Sequence, residues 1–118
     1  MDIRLKRAYE PPSKTDGGRL LVERLWPRGL TKEKAAIDEW FKDIAPSPAL
    51  RKWYAHDPAK WAEFRRRYMA ELARNAGEVE RLRARVKGGS VTFVYAAKDE
   101  GRNSAVVLKA YLEGRAGR

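Results

Sequence analysis

The sequence predicts an α/β domain: a mainly parallel sheet of three or four strands flanked by helices, with a long helical insertion between the second and third strands. Three observations predict it. Segments 3–7, 19–25 and 90–96 have the short apolar or alternating character of strands. Residues 31–87 carry apolar side chains at helical spacings, and a last helical pattern follows the third strand. Strands separated by helices need crossover connections, which build parallel sheets. At 118 residues the chain has the size of one domain, so 1–118 reads as a single unit.

Ile3-Arg4-Leu5-Lys6-Arg7 alternates apolar and basic residues, as a partly exposed strand does. Segment 10–18, with Pro11-Pro12-Ser13-Lys14-Thr15-Asp16-Gly17-Gly18, is polar and turn-rich and reads as a mobile loop. The second strand, Arg19 to Leu25, holds the run Leu20-Leu21-Val22. Thr31 can cap a helix with Ile37, Trp40, Phe41 and Ile44 facing inward. Ser47-Pro48 opens a short helix to Tyr54, a capping hydroxyl followed by proline at the first helical position. Asp57-Pro58 repeats that device before Trp61, Phe64, Tyr68 and Leu72. Asn75-Ala76-Gly77 breaks the pattern, and Glu78 to Lys87 carries Val79, Leu82 and Val86 on one stripe. Ser90 to Ala96, after Gly88-Gly89, is β-branched and aromatic, as a central buried strand is. Asp99 can cap a last helix with Ala105, Val106, Leu108 and Leu112 inward, and 114–118 reads as a frayed tail.

The composition removes several chemistries. There is no cysteine, which excludes disulfides, zinc–thiolate sites and thiol nucleophiles. No apolar run approaches the roughly 18 residues that span a bilayer, and Met1 to Arg7 lacks an apolar signal core. Cytoplasmic residence without membrane contact is the expectation. Neither G-x-G-x-x-G, a P-loop nor a G-x-S-x-G elbow occurs, so no cofactor is expected. His56 is the single histidine; without a second histidine or cysteine it does not suggest a metal, and the spacing of Asp38, Asp57 and Asp99 requires no hard cation. The net charge of +10 attracts anionic small molecules and polyanions.

In open parallel sheets, sites form outside the carboxyl ends of the strands. The second strand runs into Arg24-Leu25-Trp26-Pro27-Arg28-Gly29, and the third into Tyr95-Ala96-Ala97-Lys98-Asp99, with Arg102-Asn103 beyond. Parallel strands would bring these turns to one edge. There Arg24 and Arg28 can hold an anionic group through planar, two-bond contacts. Trp26, Tyr95, Lys98 and Asn103 would line the cleft, and Asp99 would orient an arginine or act as acid or base. Asp99 and Arg24 are the candidate catalytic residues. The plainer reading is a rigid Trp-Pro-Arg-Gly turn with Trp26 in the core and Asp99 a cap.

The chain resembles the YeaO-like branch of the domain-of-unknown-function 488 family. The resemblance rests on Leu21-Val22-Glu23-Arg24-Leu25-Trp26-Pro27-Arg28-Gly29, Ile44-Ala45-Pro46-Ser47, Leu50-Arg51-Lys52-Trp53, Trp61 with Phe64 and Tyr68, and Tyr95-Ala96-Ala97-Lys98-Asp99 with Asn103. It covers nearly the whole chain and implies a small cytosolic α/β protein of unassigned activity. Longer members of the wider family carry cysteine and histidine where this chain has Tyr95 and Asn103, so their thiol or metal chemistry does not carry over. The second strand also resembles that of rhodanese-type domains, whose catalytic cysteine is missing here.

Three readings stay open: a small-molecule or anion-binding domain, with or without catalysis; a nucleic-acid-associated module using Arg51, Lys52, Trp53 and Arg65-Arg66-Arg67; and an interaction or structural domain. They differ in whether positive charge gathers in one concave site, spreads as a stripe over the helices, or is satisfied internally.

Overall fold

The computed structural model of the protein describes residues 1–114; positions 115–118 of the expected tail lie outside the described residues. Four strands, β1 (Ile3–Arg7), β2 (Gly18–Leu21), β3 (Glu39–Trp40) and β4 (Val91–Tyr95), form one sheet in the order β1-β4-β2-β3. Every neighbouring pair is parallel, with Leu5 and Leu20 both in register with Phe93. The most apolar strand takes the centre: all five residues of β4 are buried.

Side-chain alternation gives the sheet two faces. On one, Leu20, Val22, Val91 and Phe93 meet Phe64, Tyr68, Leu72, Leu82 and Leu108 in the main core. These side chains come from α3 (Trp61–Ala73), α4 (Ala76–Lys87) and α5 (Ser104–Leu112), which follow α1 (Lys32–Ala35) and α2 (Pro48–Tyr54). Leu20 and Phe93 are completely buried, each stabilising the fold by about 1.5–3 kcal/mol. On the other face, Leu21, Val94 and Ala8 pack under Trp26, Leu30, Ile37 and Trp40.

That second face also carries a closed ionic cluster at the amino end of β2. Of segment 10–18, Gly18 already belongs to β2; the residues before it form a loop holding one 3-10 turn, Lys14–Asp16, capped by Ser13. The Asp16 carboxylate accepts from Arg19 at 2.7 Å, Lys6 at 3.0 Å and the Ser13 N–H at 2.9 Å. Arg19 spends its remaining donors on the Ala35 and Ala36 carbonyls, and Thr92 Oγ1 donates to the Asp16 carbonyl. Gly17 makes the turn with φ +65°, and a Cβ there would stand 2.3 Å from the Ser90 carbonyl oxygen. Only glycine fits.

Three expectations are corrected. The helix opened by Thr31 stops after Ala35, because Ala36 takes a left-handed conformation (φ 50°). The chain then extends, and Glu39–Trp40 adds an edge strand beside β2 through Asp38 N–H to Arg19 O and Phe41 N–H to Leu21 O. The second strand ends at Leu21, not Leu25. The last helix is capped by Asn103, whose Oδ1 accepts from Val106 N–H at 3.1 Å, and it buries Val107 in place of Val106. The other capping hydroxyls and carboxylates act as the sequence indicates: Thr31 accepts from Lys34 N–H, Ser47 from Leu50 N–H, and Asp57 from Ala59 N–H. Among the described residues no helix is long and apolar enough to cross a membrane.

Candidate functional site

Where β2 and β4 end side by side, the chain leaves a cleft of about 210 Å³. Glu23, just beyond β2, and Ala96-Ala97, just beyond β4, form its inner edge. Pro46, Tyr54, Phe64 and Asn103 line it as buried residues, while Arg51, His56 and Arg102 stand exposed around it.

Each lining side chain has a local cause. Tyr54 ends α2, stacks on Phe64 with ring centroids 4.3 Å apart, and donates its hydroxyl to the Arg102 carbonyl at 3.2 Å. It therefore ties α2 to the turn before α5. Two consecutive residues, Ala55 (φ 46°) and His56 (φ 57°), are left-handed. For residues with a Cβ this conformation is costly, and strain of this kind gathers where the surrounding structure fixes a side chain's direction. Here it swings the chain from α2 towards α3 and leaves His56 on the cleft.

Glu23 is the central group. Its Oε2 accepts from Ala96 N–H at 2.9 Å, which ties the two strand ends together, and its carbonyl accepts from the Trp40 indole at 2.6 Å. Burial pushes the Glu23 carboxyl pKa up; the Ala96 N–H, Arg51 and His56 pull against that without cancelling it. Its other oxygen, Oε1, has no hydrogen-bond partner among the described residues, yet no buried polar side-chain atom is left unsatisfied. Oε1 therefore has open surface, and the open surface at Glu23 is the cleft. Among the described residues no ion pair joins Glu23, Arg51, His56 and Arg102 to one another, and the one pair any of them makes there is Arg102 with Asp99 at 3.7 Å, outside the cleft.

The structure divides the residues expected to converge here. Asn103 lines the cleft, but its side chain is committed to the α5 cap and to the Asp99 carbonyl. Arg24 turns away and holds the 42–47 segment, donating to the Ala45 and Pro46 carbonyls at 3.1 and 3.4 Å and pairing with Asp43. Trp26 packs edge-on against Trp40 and donates to the Leu30 carbonyl, as the plainer reading had it. Arg28 is exposed, with its carbonyl accepting from the Tyr9 hydroxyl. Tyr95 is buried, and that burial, with Glu100 and Glu10 nearby, raises its hydroxyl pKa. Lys98 is exposed, and Asp99 caps the turn at Gly101 and Arg102.

Sequence reasoning did not find Glu23 and Arg51 as parts of this site. Glu23 looked like an interior residue of a longer strand, and Arg51 like part of a basic patch. Within the patch Arg66 and Arg67 share the single carboxylate of Glu63, and Trp53 lies beneath the cations of Arg67 and Lys60 at 4.2 and 5.0 Å. Among the described residues no group of three or more His, Asp or Glu side chains could hold a metal ion.

Residues 2–118 match the model of the family described as the inactive DUF488-N3 subclade, DUF488-N3i. The chain is similar to "Uncharacterized protein YeaO" of Escherichia coli (strain K12), with 45% identity over 112 residues covering 95% of this chain and 97% of that protein. "Uncharacterized protein Rv3073c" of Mycobacterium tuberculosis (strain ATCC 25618 / H37Rv) is 42% identical over 113 residues, covering 96% and 95%. "Uncharacterized protein Mb3100c" of Mycobacterium bovis (strain ATCC BAA-935 / AF2122/97) matches to the same extent. No solved structure matches the chain.

Proposed function

The chain belongs to the inactive DUF488-N3 subclade, and with that as premise we propose that it is a non-catalytic domain that binds a small anionic molecule in the cleft beyond β2 and β4. The observation that carries this reading is that Arg51 and Arg102 stand at one cleft with His56, and neither guanidinium pairs with its single carboxylate, Glu23. Guanidinium donors not closed on that carboxylate can meet an incoming anion. The volume, below the roughly 300 Å³ at which sites for drug-sized ligands begin, points to a compact ligand.

The description of the subclade as inactive favours binding over turnover. Residues expected at the site act from behind it: Arg24 fixes the segment that supplies Pro46, and Asn103 fixes the start of α5. The strand-end location is the one that the sequence reading proposed, with a different set of cations.

Inorganic phosphate titrated into the 15N-labelled protein tests the proposal. Shifts should concentrate at Ala96, Ala97, Arg102 and Ser104, and the double variant Arg51→Ala/Arg102→Ala should lose them while keeping its fold. Shifts spread over α3 and α4, or none up to high millimolar phosphate, would overturn the reading. Strong, salt-sensitive binding of mixed-sequence DNA in their place would favour the nucleic-acid module.

A further inference from the structure

We propose that the ligand of this cleft carries a protonated nitrogen as well as its anionic group, and that the nitrogen enters first, against Glu23. This deepens the reading above and rests on it. The arrangement is polar from inside to outside. Half-buried Glu23 stands at the inner edge with Oε2 fixed by Ala96 N–H and Oε1 open to the cleft. Arg51, His56 and Arg102 are all exposed. A purely anionic ligand would satisfy the two guanidinium groups but place its negative charge towards a carboxylate that no cation among the described residues meets at ion-pair distance. A neutral ligand would leave both charges unanswered. A compact zwitterion answers both, with an ammonium on Oε1 and a phosphate or carboxylate on the guanidinium groups.

The apolar part of the lining fits such a molecule. Pro46, Phe64, Ala96 and Ala97 give the lining a non-polar part against which a few methylene groups can lie. Glu23 is half-buried, so the inner contact is made where screening is weaker than in bulk solvent and a charge-assisted hydrogen bond is strong. Glu23 cannot turn away to make the pocket neutral, because the Ala96 N–H and the Trp40 indole hold its side chain and its backbone. The carboxylate is thus presented to the cleft whether or not a ligand is there.

The test compares two probes of equal size, O-phosphoethanolamine and propyl phosphate, which differ by an ammonium in place of a methyl group. Binding is followed on the full chain by the Ala96 amide resonance and by calorimetry. The proposal expects O-phosphoethanolamine to bind roughly tenfold or more tightly than propyl phosphate. In Glu23→Gln, whose amide oxygen can still accept from Ala96 N–H, the ratio of the two affinities should fall to about one. Equal affinities in the wild-type protein would overturn the zwitterion and leave the phosphate site standing. Failure of both probes and of inorganic phosphate would overturn the site itself. The wild-type comparison needs no variant to fold, and Glu23→Asp, which keeps the charge but shortens its reach, should show an intermediate preference.

Discussion

The two ends of β2 each set a carboxylate among cations, and they use them in opposite ways. At the amino end, Asp16 is 5% exposed and Arg19 4%, and every partner is spent inside the cluster: Lys6, Ser13 N–H, Arg19, and through Arg19 the end of α1. At the carboxyl end, Glu23 keeps one oxygen open, and Arg51, His56 and Arg102 do not close on it. The same residue types produce a structural joint in one place and a cavity in the other. What differs is the backbone. Gly17 lets the loop fold down onto Ser90 and brings Asp16 to Arg19, whereas the left-handed turn at Ala55-His56 leaves His56 on the cleft without a bond to Glu23. A charged cluster is read as a site only after its internal bonds have been counted.

The largest effect that could break this contrast is Asp16→Ala. It strands a buried guanidinium, and urea denaturation should show a loss of about 3 kcal/mol or more. A loss below about 1 kcal/mol would mean that the amino-end cluster is as open as the other. Next comes the pair Arg24→Ala and Arg51→Ala. Removing Arg24 takes away two carbonyl contacts of a half-buried guanidinium, so stability should fall by about 1–2 kcal/mol with phosphate affinity nearly intact. Removing Arg51 should leave stability within about 0.5 kcal/mol and cost the phosphate affinity roughly tenfold. The reverse pattern would exchange their roles. A smaller change is expected from Ala55→Gly, which relieves a left-handed alanine and should raise stability by about 0.5–1 kcal/mol while loosening His56.

The gentlest probe is pH, and it sharpens the contrast because the two carboxyls are shifted in opposite directions. Burial raises Glu23, so the folded protein keeps a proton that the unfolded chain has already lost. Its contribution is full below the ordinary glutamate range and disappears as pH rises through the raised value. Burial also pushes Asp16 up, but the Ser13 N–H, Lys6 and Arg19 outweigh it and the net shift is down. Its contribution is full above the ordinary aspartate range and disappears as pH falls through the lowered value. Urea midpoints measured across the acid range should therefore lose their fall on the rising side in Glu23→Gln, and their fall on the acid side in Asp16→Asn. Identical profiles for the wild type and Glu23→Gln would remove the raised carboxyl from the account.

Legibility in the sequence followed how local each signal was. β1 was legible residue for residue because alternation needs only its own five positions, and β4 because a β-branched run after Gly88-Gly89 has few other readings. β3 was hidden. Ile37, Trp40, Phe41 and Ile44 repeat at three and four, as a helix face does, and the left-handed break falls on Ala36, a residue that announces nothing. At the site, the strand-end location followed from the parallel order of strands, but its contents did not. Glu23 emerged only because β2 stops at Leu21, and Arg51 and His56 arrive from a helix end fixed by tertiary contacts. Asp99 and Asn103 are both competent caps four residues apart; Asp99 caps the turn at Gly101 and Arg102, and Asn103 the helix that buries Val107 in place of Val106.

The brevity of β3 matters beyond the site. A sheet border is a template on which a foreign strand can crystallise into fibres, and the danger grows with the length of unpaired backbone. Here one border offers two ladder residues, with Glu39 clasped by Arg81 and Arg85, and the other is β1, studded with Arg4, Lys6 and Arg7. A border this short and another carrying basic side chains are the features by which edge strands commonly avoid pairing with a second copy.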